Sequence, residues 1–239
     1  SAALIYPPSA YVKTPELIEL SKVVGDHDGV YVSHLRSEGA FFLEALEEFM
    51  TIVKESGARG QIYHLKASGY RNWDKLEPAI ARIERVQAEG WPVSADMYMY
   101  NASGTSLNAV LPPAAHDGGR EALLRRLADP AERERIKEGM HVWSDEYANL
   151  WLESRSPSDM LLAGFAKPEM KHLAGKTLEE VIEMRGTSPE DTVMDLLLEA
   201  DGHIFTIYFT MDEANIERKI QLPWVSFCSD AGSIATEGA

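Results

Sequence analysis

Three strand-like apolar runs recur early in the chain at nearly even steps, and each delivers a polar side chain at its C-terminal end. Residues 29–34 end in His34, residues 60–64 end in His64, and residues 92–98 carry Asp96, so the steps are 30 and 32 residues. That is the length of one strand–helix unit. The intervening segments repeat apolar residues at helical spacing: Leu17, Leu20, Val23 and Val24, then Phe42, Ala45, Leu46, Phe49, Ile52 and Val53, then Leu76, Ile80, Ile83 and Val86. Thr14-Pro15-Glu16 reads as an N-cap, a first-turn proline and a first-turn acid, and Gly57 and Gly90 read as helix stops. Strands alternating with helices of this length predict an α/β fold on a parallel sheet.

From about Asn101 to Gly175 the rhythm lapses. Leu111-Pro112-Pro113 and Asp117-Gly118-Gly119 are turn signals, and Arg120–Met140 reads as one charged helical stretch. This region is expected to be an insertion acting as a lid. Regular pattern resumes with the capping-box sequence Thr177-Leu178-Glu179-Glu180 and the helix start Ser188-Pro189-Glu190-Asp191. Residues 203–209 and 224–228 then read as strands with a helix over 212–220 between them, and the last strand runs into Ser229-Asp230-Ala231-Gly232.

Composition narrows the function classes. With 23 Lys plus Arg against 38 Asp plus Glu among 239 residues, the net charge of −15 disfavours nucleic-acid and anionic-membrane partners, both of which select for basic surfaces. The single cysteine, Cys228, permits no intrachain disulfide, which makes a reducing, cytoplasmic setting the default expectation. No apolar run is long enough to span a bilayer. The first residues carry neither signal-peptide features nor an initiator Met, so a processed chain or a piece of a longer one is expected.

His34, His64 and Asp230 end strand-like runs and are metal-site residue types. In a parallel barrel, strand ends converge on the face that holds the active site. Two histidines from neighbouring strands plus an aspartate suit a divalent ion such as Zn²⁺. A lone strand-end histidine is more often a hydrogen-bonded structural residue; two in successive units shift the balance toward a site.

The flanking residues are more specific. Val32-Ser33-His34-Leu35-Arg36-Ser37-Glu38-Gly39 and Tyr63-His64-Leu65-Lys66-Ala67-Ser68-Gly69 resemble the fifth and sixth strand ends of the D-aminoacylase (N-acyl-D-amino-acid deacylase) family of the amidohydrolase superfamily. Ala95-Asp96-Met97-Tyr98-Met99-Tyr100 resembles its Asp-x-Tyr-Pro-Tyr motif, and Phe227-Cys228-Ser229-Asp230-Ala231-Gly232 its eighth-strand Ser-Asp segment. The resemblance covers essentially the whole chain. It implies a partial (β/α)8, TIM-like barrel with a long insertion after the third strand of this chain, residues 1–239 forming the C-terminal half and about 101–175 the lid.

The resemblance also implies roles. His34 and His64 match zinc ligands, and Asp230 matches the acid that takes a proton from the attacking water and delivers it to the leaving amine. Lys66, at the pocket mouth, is either a partner for a substrate carboxylate or an exposed loop lysine. Tyr98 is either a hydrogen-bond donor to substrate or a buried tyrosine, and Met211 lines either the pocket or the core. Arg36 and Glu38 are expected to pair with each other behind the metal site. The family's first-strand His-x-His, fourth-strand cysteine and substrate-binding arginine have no counterpart here. The implied activity is metal-dependent hydrolysis of N-acyl-D-amino acids. Its partners would be a small-molecule N-acyl-amino-acid substrate and either the missing barrel half or a second copy. The alternatives are another amidohydrolase specificity, such as a dipeptidase or cyclic-amide hydrolase, or a non-catalytic half-barrel.

Overall fold

The helical stripes read from the sequence become amphipathic helices that cover an all-parallel sheet. The structure, a computed structural model, describes residues 1–6, 9–143 and 149–231. It divides into two units, one built from Ser1–Ala67, Asn72–Tyr100 and Asp212–Ala239, the other from Ser68–Arg71 and Asn101–Met211.

In the first unit, β1 (Ala2–Ala3), α1 (Thr14–Asp26), β2 (Val30–His34), α2 (Phe42–Ser56), β3 (Arg59–Ile62), α3 (Leu76–Ala88) and β4 (Val93–Met97) are followed, after the second unit, by α9 (Glu213–Ile220) and β9 (Val225–Phe227). The strand order is β1-β2-β3-β4-β9, and every neighbouring pair is parallel. Helix α2 buries Phe42, Leu46, Phe49, Ile52 and Val53 and stops at Gly57, whose φ of 72° lies in the left-handed region open to glycine. Those side chains pack with Ile62, Ile80, Ile83 and Ala95 into one core. The helix lies so close to β3 that a Cβ on Gly60 would stand 2.6 Å from Val53 Cγ2. One strand is new, and one local expectation changes. The two-residue β1 carries too little pattern to be read from sequence. Thr14 does not cap α1; Lys13 is the N-cap, and the Thr14 hydroxyl donates to Glu48 at 2.7 Å.

The second unit contains β5 (Ser103–Ser106), α4 (Gly119–Ala128), α5 (Pro130–Met140), α6 (Leu150–Glu153), β6 (Met160–Gly164), β7 (Lys176–Thr177), α7 (Leu178–Arg185), α8 (Pro189–Glu199) and β8 (Phe205–Tyr208). Its sheet, in the order β5-β8-β6-β7, is antiparallel throughout, and it has its own core around Leu162, Leu178, Val193, Leu196, Leu197 and Tyr208. The charged stretch expected as one helix is broken by Pro130 into α4 and α5. Asp129 caps the second of these, its carboxylate accepting from the Ala131 and Glu132 N–H groups. The Thr177–Glu180 capping box forms as its sequence implies.

Residues 203–209, read from sequence as a strand without an assigned partner, belong to the second sheet. Their strand, β8, pairs antiparallel with β5 and β6. Its alternation of exposed Phe205, buried Thr206, half-buried Ile207 and buried Tyr208 is that of a strand with one covered face. In contrast, β4 buries Val93, Ala95, Asp96 and Met97. The second unit therefore extends to Met211, past the Gly175 boundary read from the turn signals.

Candidate metal and catalytic site

Parallel strands deliver their last residues to a common edge, and the motif residues follow that rule. His34 is the final residue of β2, His64 stands two residues beyond β3, Tyr98 follows β4, and Asp230 lies three residues beyond β9. His34 Nδ1 and His64 Nε2 are 3.0 Å apart, with the rings edge to face. Glu38 joins them, and one ligand atom from each of the three lies within 4.8 Å of the others.

Lys66 is drawn into the same cluster. Its Nζ lies 2.7 Å from Glu38 Oε1 and 2.7 Å from His64 Nδ1. His64 Nδ1 also lies 3.0 Å from Glu38 Oε1, so it faces both the lysine and the carboxylate, and the ring tautomer sets which of the two it bonds and which way the His34–His64 bond runs. The other ring nitrogen of His34 is Nε2. That atom is buried and has no hydrogen-bond partner among the described residues; Glu38 Oε2 stands 3.4 Å away, at ion-pair distance only.

The electrostatics follow from burial and charge. Burial lowers the pKa of His34 to about 4, and Lys66 and His64 push the same way against Glu38. Burial acting alone would raise Glu38, but His34, Lys66 and His64 more than offset it and hold the carboxyl well below the usual range. Tyr98 is pushed up by burial, then by the Glu38 and Asp230 charges, so its phenol stays protonated. Its ring centroid is 6.1 Å from that of His64 and 5.4 Å from Lys66 Nζ.

His64 is held by its backbone as well. Its φ of 35° is in the left-handed region, which costs a non-glycine residue about 1–2 kcal/mol. Asp96 offsets this strain. Asp96 Oδ1 accepts the His64 N–H at 2.6 Å, the Asp96 carbonyl accepts the Leu65 N–H at 2.8 Å, and Asp96 Oδ2 accepts from Gln61 Nε2 at 2.9 Å. Cys228 donates its thiol to Asp96 Oδ1 at 3.3 Å; burial, followed by this bond, raises the thiol pKa to about 11.

The structure thus gathers His34, His64, Lys66 and Tyr98 and places Asp230 on the same strand edge. Asp230 is exposed, has a φ of 49°, and stands outside the three-residue ligand group. Lys66 is 5% exposed, so the exposed-loop alternative is corrected. Met211 ends the second unit, buried, with its sulfur accepting the Thr210 hydroxyl at 3.6 Å. The expected Arg36–Glu38 pair does not form. Arg36 makes a two-pronged pair with Glu48, at 2.8 and 2.9 Å, which leaves Glu38 to the histidines. The residue missed from sequence is therefore Glu38, and its signal was its spacing four residues after His34.

Zinc fits this donor set. Two imidazole nitrogens 3.0 Å apart compare with the ~3.3 Å edge of a tetrahedral site whose Zn–N bonds are about 2.0–2.1 Å. A carboxylate, Glu38, lies beside them, so two imidazoles and a carboxylate, all donor types that zinc takes, face one another.

No protein-family model matches the chain. Among curated proteins, a D-aminoacylase from Alcaligenes xylosoxydans xylosoxydans is 29% identical over 91% of this chain and 35% of its own length. The chain is homologous to the D-aminoacylases. An N-acyl-D-glutamate deacylase from the same organism is 31% identical over 45% of the chain and 22% of its own length. The crystal structure described as D-aminoacylase defining a novel subset of amidohydrolases superposes with a TM-score of 0.63 at 27% identity, covering 94% of this chain and 37% of that one. An N-acyl-D-glutamate deacylase from Bordetella bronchiseptica, complexed with zinc and a phosphonate inhibitor, superposes with a TM-score of 0.67 at 21% identity over 94% of this chain and 38% of that one. The chain spans about a third of the length of the D-aminoacylases it matches. Its fold is part of the amidohydrolase barrel, with the antiparallel unit inserted after β4.

Proposed function

We propose that this chain is the C-terminal barrel half of a zinc-dependent N-acyl-D-amino-acid deacylase, which hydrolyses the amide to a carboxylate and a free D-amino acid. The observation that carries the reading is the His34–Glu38–His64 cluster at the C-terminal edge of a parallel sheet, in a chain that aligns with D-aminoacylase over 91% of its length. His34 and His64 would hold the metal. Bound there, zinc supplies Lewis-acid polarisation of the scissile carbonyl.

The remaining chemistry belongs to side chains. Asp230, solvent-exposed, takes a proton from the attacking water and passes it to the departing amine. Tyr98, kept protonated, donates a hydrogen bond to the substrate. Lys66 pairs with the substrate carboxylate by giving up its bond to His64 Nδ1, and Met211 lines the pocket for the substrate side chain. The rest of the barrel, from the same polypeptide or from a partner chain, completes the ligand set.

The test is an assay of the full-length protein on N-acetyl-D- and N-acetyl-L-amino acids, dipeptides and cyclic amides, with and without added zinc. The expected result is zinc-dependent release of D-amino acids. Inactivity on every D-substrate overturns the reading, and turnover of dipeptides or cyclic amides alone moves it to another amidohydrolase specificity.

A further inference from the structure

Lys219 lies on α9 at 4% exposure, although the neighbouring Arg218 faces solvent and pairs with Glu77 at 2.7 Å. Burying an ammonium is costly unless something specific receives it. Among the described residues, the hydrogen-bond acceptor of Lys219 Nζ is the Leu65 carbonyl, at 2.7 Å. Leu65 sits between His64 and Lys66. The N–H groups of His64 and Leu65 are already fastened to Asp96, so Lys219 fastens the same short segment from its carbonyl side. The segment is the one that needs fastening, since His64 holds a left-handed φ of 35° with no glycine to permit it. Burial lowers the Lys219 pKa to about 8, with Lys66 adding to the effect, and the group remains largely protonated at neutral pH.

We propose that Lys219 is a positioning residue that clamps the Leu65 carbonyl and so holds His64 aimed as a metal ligand and Lys66 aimed at the substrate carboxylate. The inference rests on the zinc deacylase reading. Lys219 acts through the backbone at 64–66 and touches no reacting atom. Outer partners of metal ligands typically tune affinity by about 10–100-fold, and a clamp on a strained ligand belongs in that range.

The experiment compares the full-length wild type with Lys219→Met and Lys219→Arg. Methionine fills a similar volume without a charge, so the Lys219→Met protein is expected to fold. Zinc affinity is measured by competition with a chromophoric chelator. Amide hydrogen exchange across 62–68 is followed in the metal-free protein, and kcat and KM are measured at saturating zinc. The clamp predicts about 10-fold or greater loss of zinc affinity in Lys219→Met, faster exchange at 64–66, and substantial rescue by Lys219→Arg, which keeps a donor. A role in packing alone would lower the melting temperature and leave zinc affinity and local exchange unchanged, and that result overturns the proposal. A protein that takes no zinc also overturns it, together with the deacylase reading. A protein that binds zinc with the predicted Lys219 dependence but releases no D-amino acid overturns only the deacylase reading.

Discussion

Replacing Asp96 by alanine would strip the acceptor from three donors at once: the His64 N–H at 2.6 Å, Gln61 Nε2 at 2.9 Å and the Cys228 thiol at 3.3 Å. The first is a charge-assisted bond to a buried backbone group, and losing a partner of that kind costs about 1.5–3 kcal/mol. Gln61 retains a second bond, from Ser94 to its Oε1, and the thiol is a weak donor, so together they add about 1 kcal/mol or less. The expected total is about 3 kcal/mol. With an m-value of about 2.5 kcal/mol/M in urea, the midpoint followed by circular dichroism should fall by roughly 1.2 M. Asp96→Asn, which keeps an oxygen facing His64, should recover about half of the loss. Because His64 would be free to leave its left-handed conformation, zinc affinity should fall in Asp96→Ala as well. A urea midpoint within 0.3 M of wild type, taking ~0.3 M as the resolution of the extrapolation, would refute the idea that Asp96 braces His64.

In the metal-free protein, His34 has a folded pKa of about 4 against 6.5 unfolded, so between those values the unfolded chain binds more protons. Stability should therefore fall as pH drops from 6.5 to 4, by on the order of 3 kcal/mol, and His34→Asn should flatten that part of the urea-midpoint profile. Asp230→Asn in the full-length protein should lower kcat by on the order of 10²-fold or more with little change in zinc content; normal turnover would remove Asp230 from the mechanism. The 239 residues alone, which offer His34, His64 and Glu38 to a metal, should show little deacylase activity in a ninhydrin assay until combined with the rest of the barrel. Thr177→Ala should cost about 1 kcal/mol by breaking the capping box of α7, read as a lower melting temperature with zinc affinity unchanged.

Local patterns carried the fold further than they carried the site. The stripe from Phe42 to Val53 with its Gly57 stop needs only the periodicity of one helix, and the structure reproduces it. His34 and His64 were legible because a strand end is itself a local feature. Glu38 was misassigned because Arg36 and Glu38 are near in sequence, whereas the true partner of Arg36, Glu48, lies one helix onward. Lys219 was invisible for a related reason. A lysine in an amphipathic helix reads as solvated, and only the carbonyl of Leu65, 154 positions away, explains its burial. Strand β8 shows the same limit, since its residues read equally well in a parallel or an antiparallel sheet until their neighbours are known.

The insertion of the antiparallel unit between β4 and β9 bears on how the chain folds. Ser226 and Ala95 are bonded across these strands although they lie 131 positions apart. As an open coil, that span would be an expensive loop to close. The second unit ties its own ends together, however, with the Met211 N–H donating to the Asn101 carbonyl at 3.3 Å. Once it has formed, the free span shrinks to a couple of dozen residues, which at about 0.6 kcal/mol per doubling of loop length saves roughly 1.5 kcal/mol of closure entropy. The unit that breaks the strand–helix rhythm thus shortens the path by which the sheet acquires its last strand, and with it Asp230.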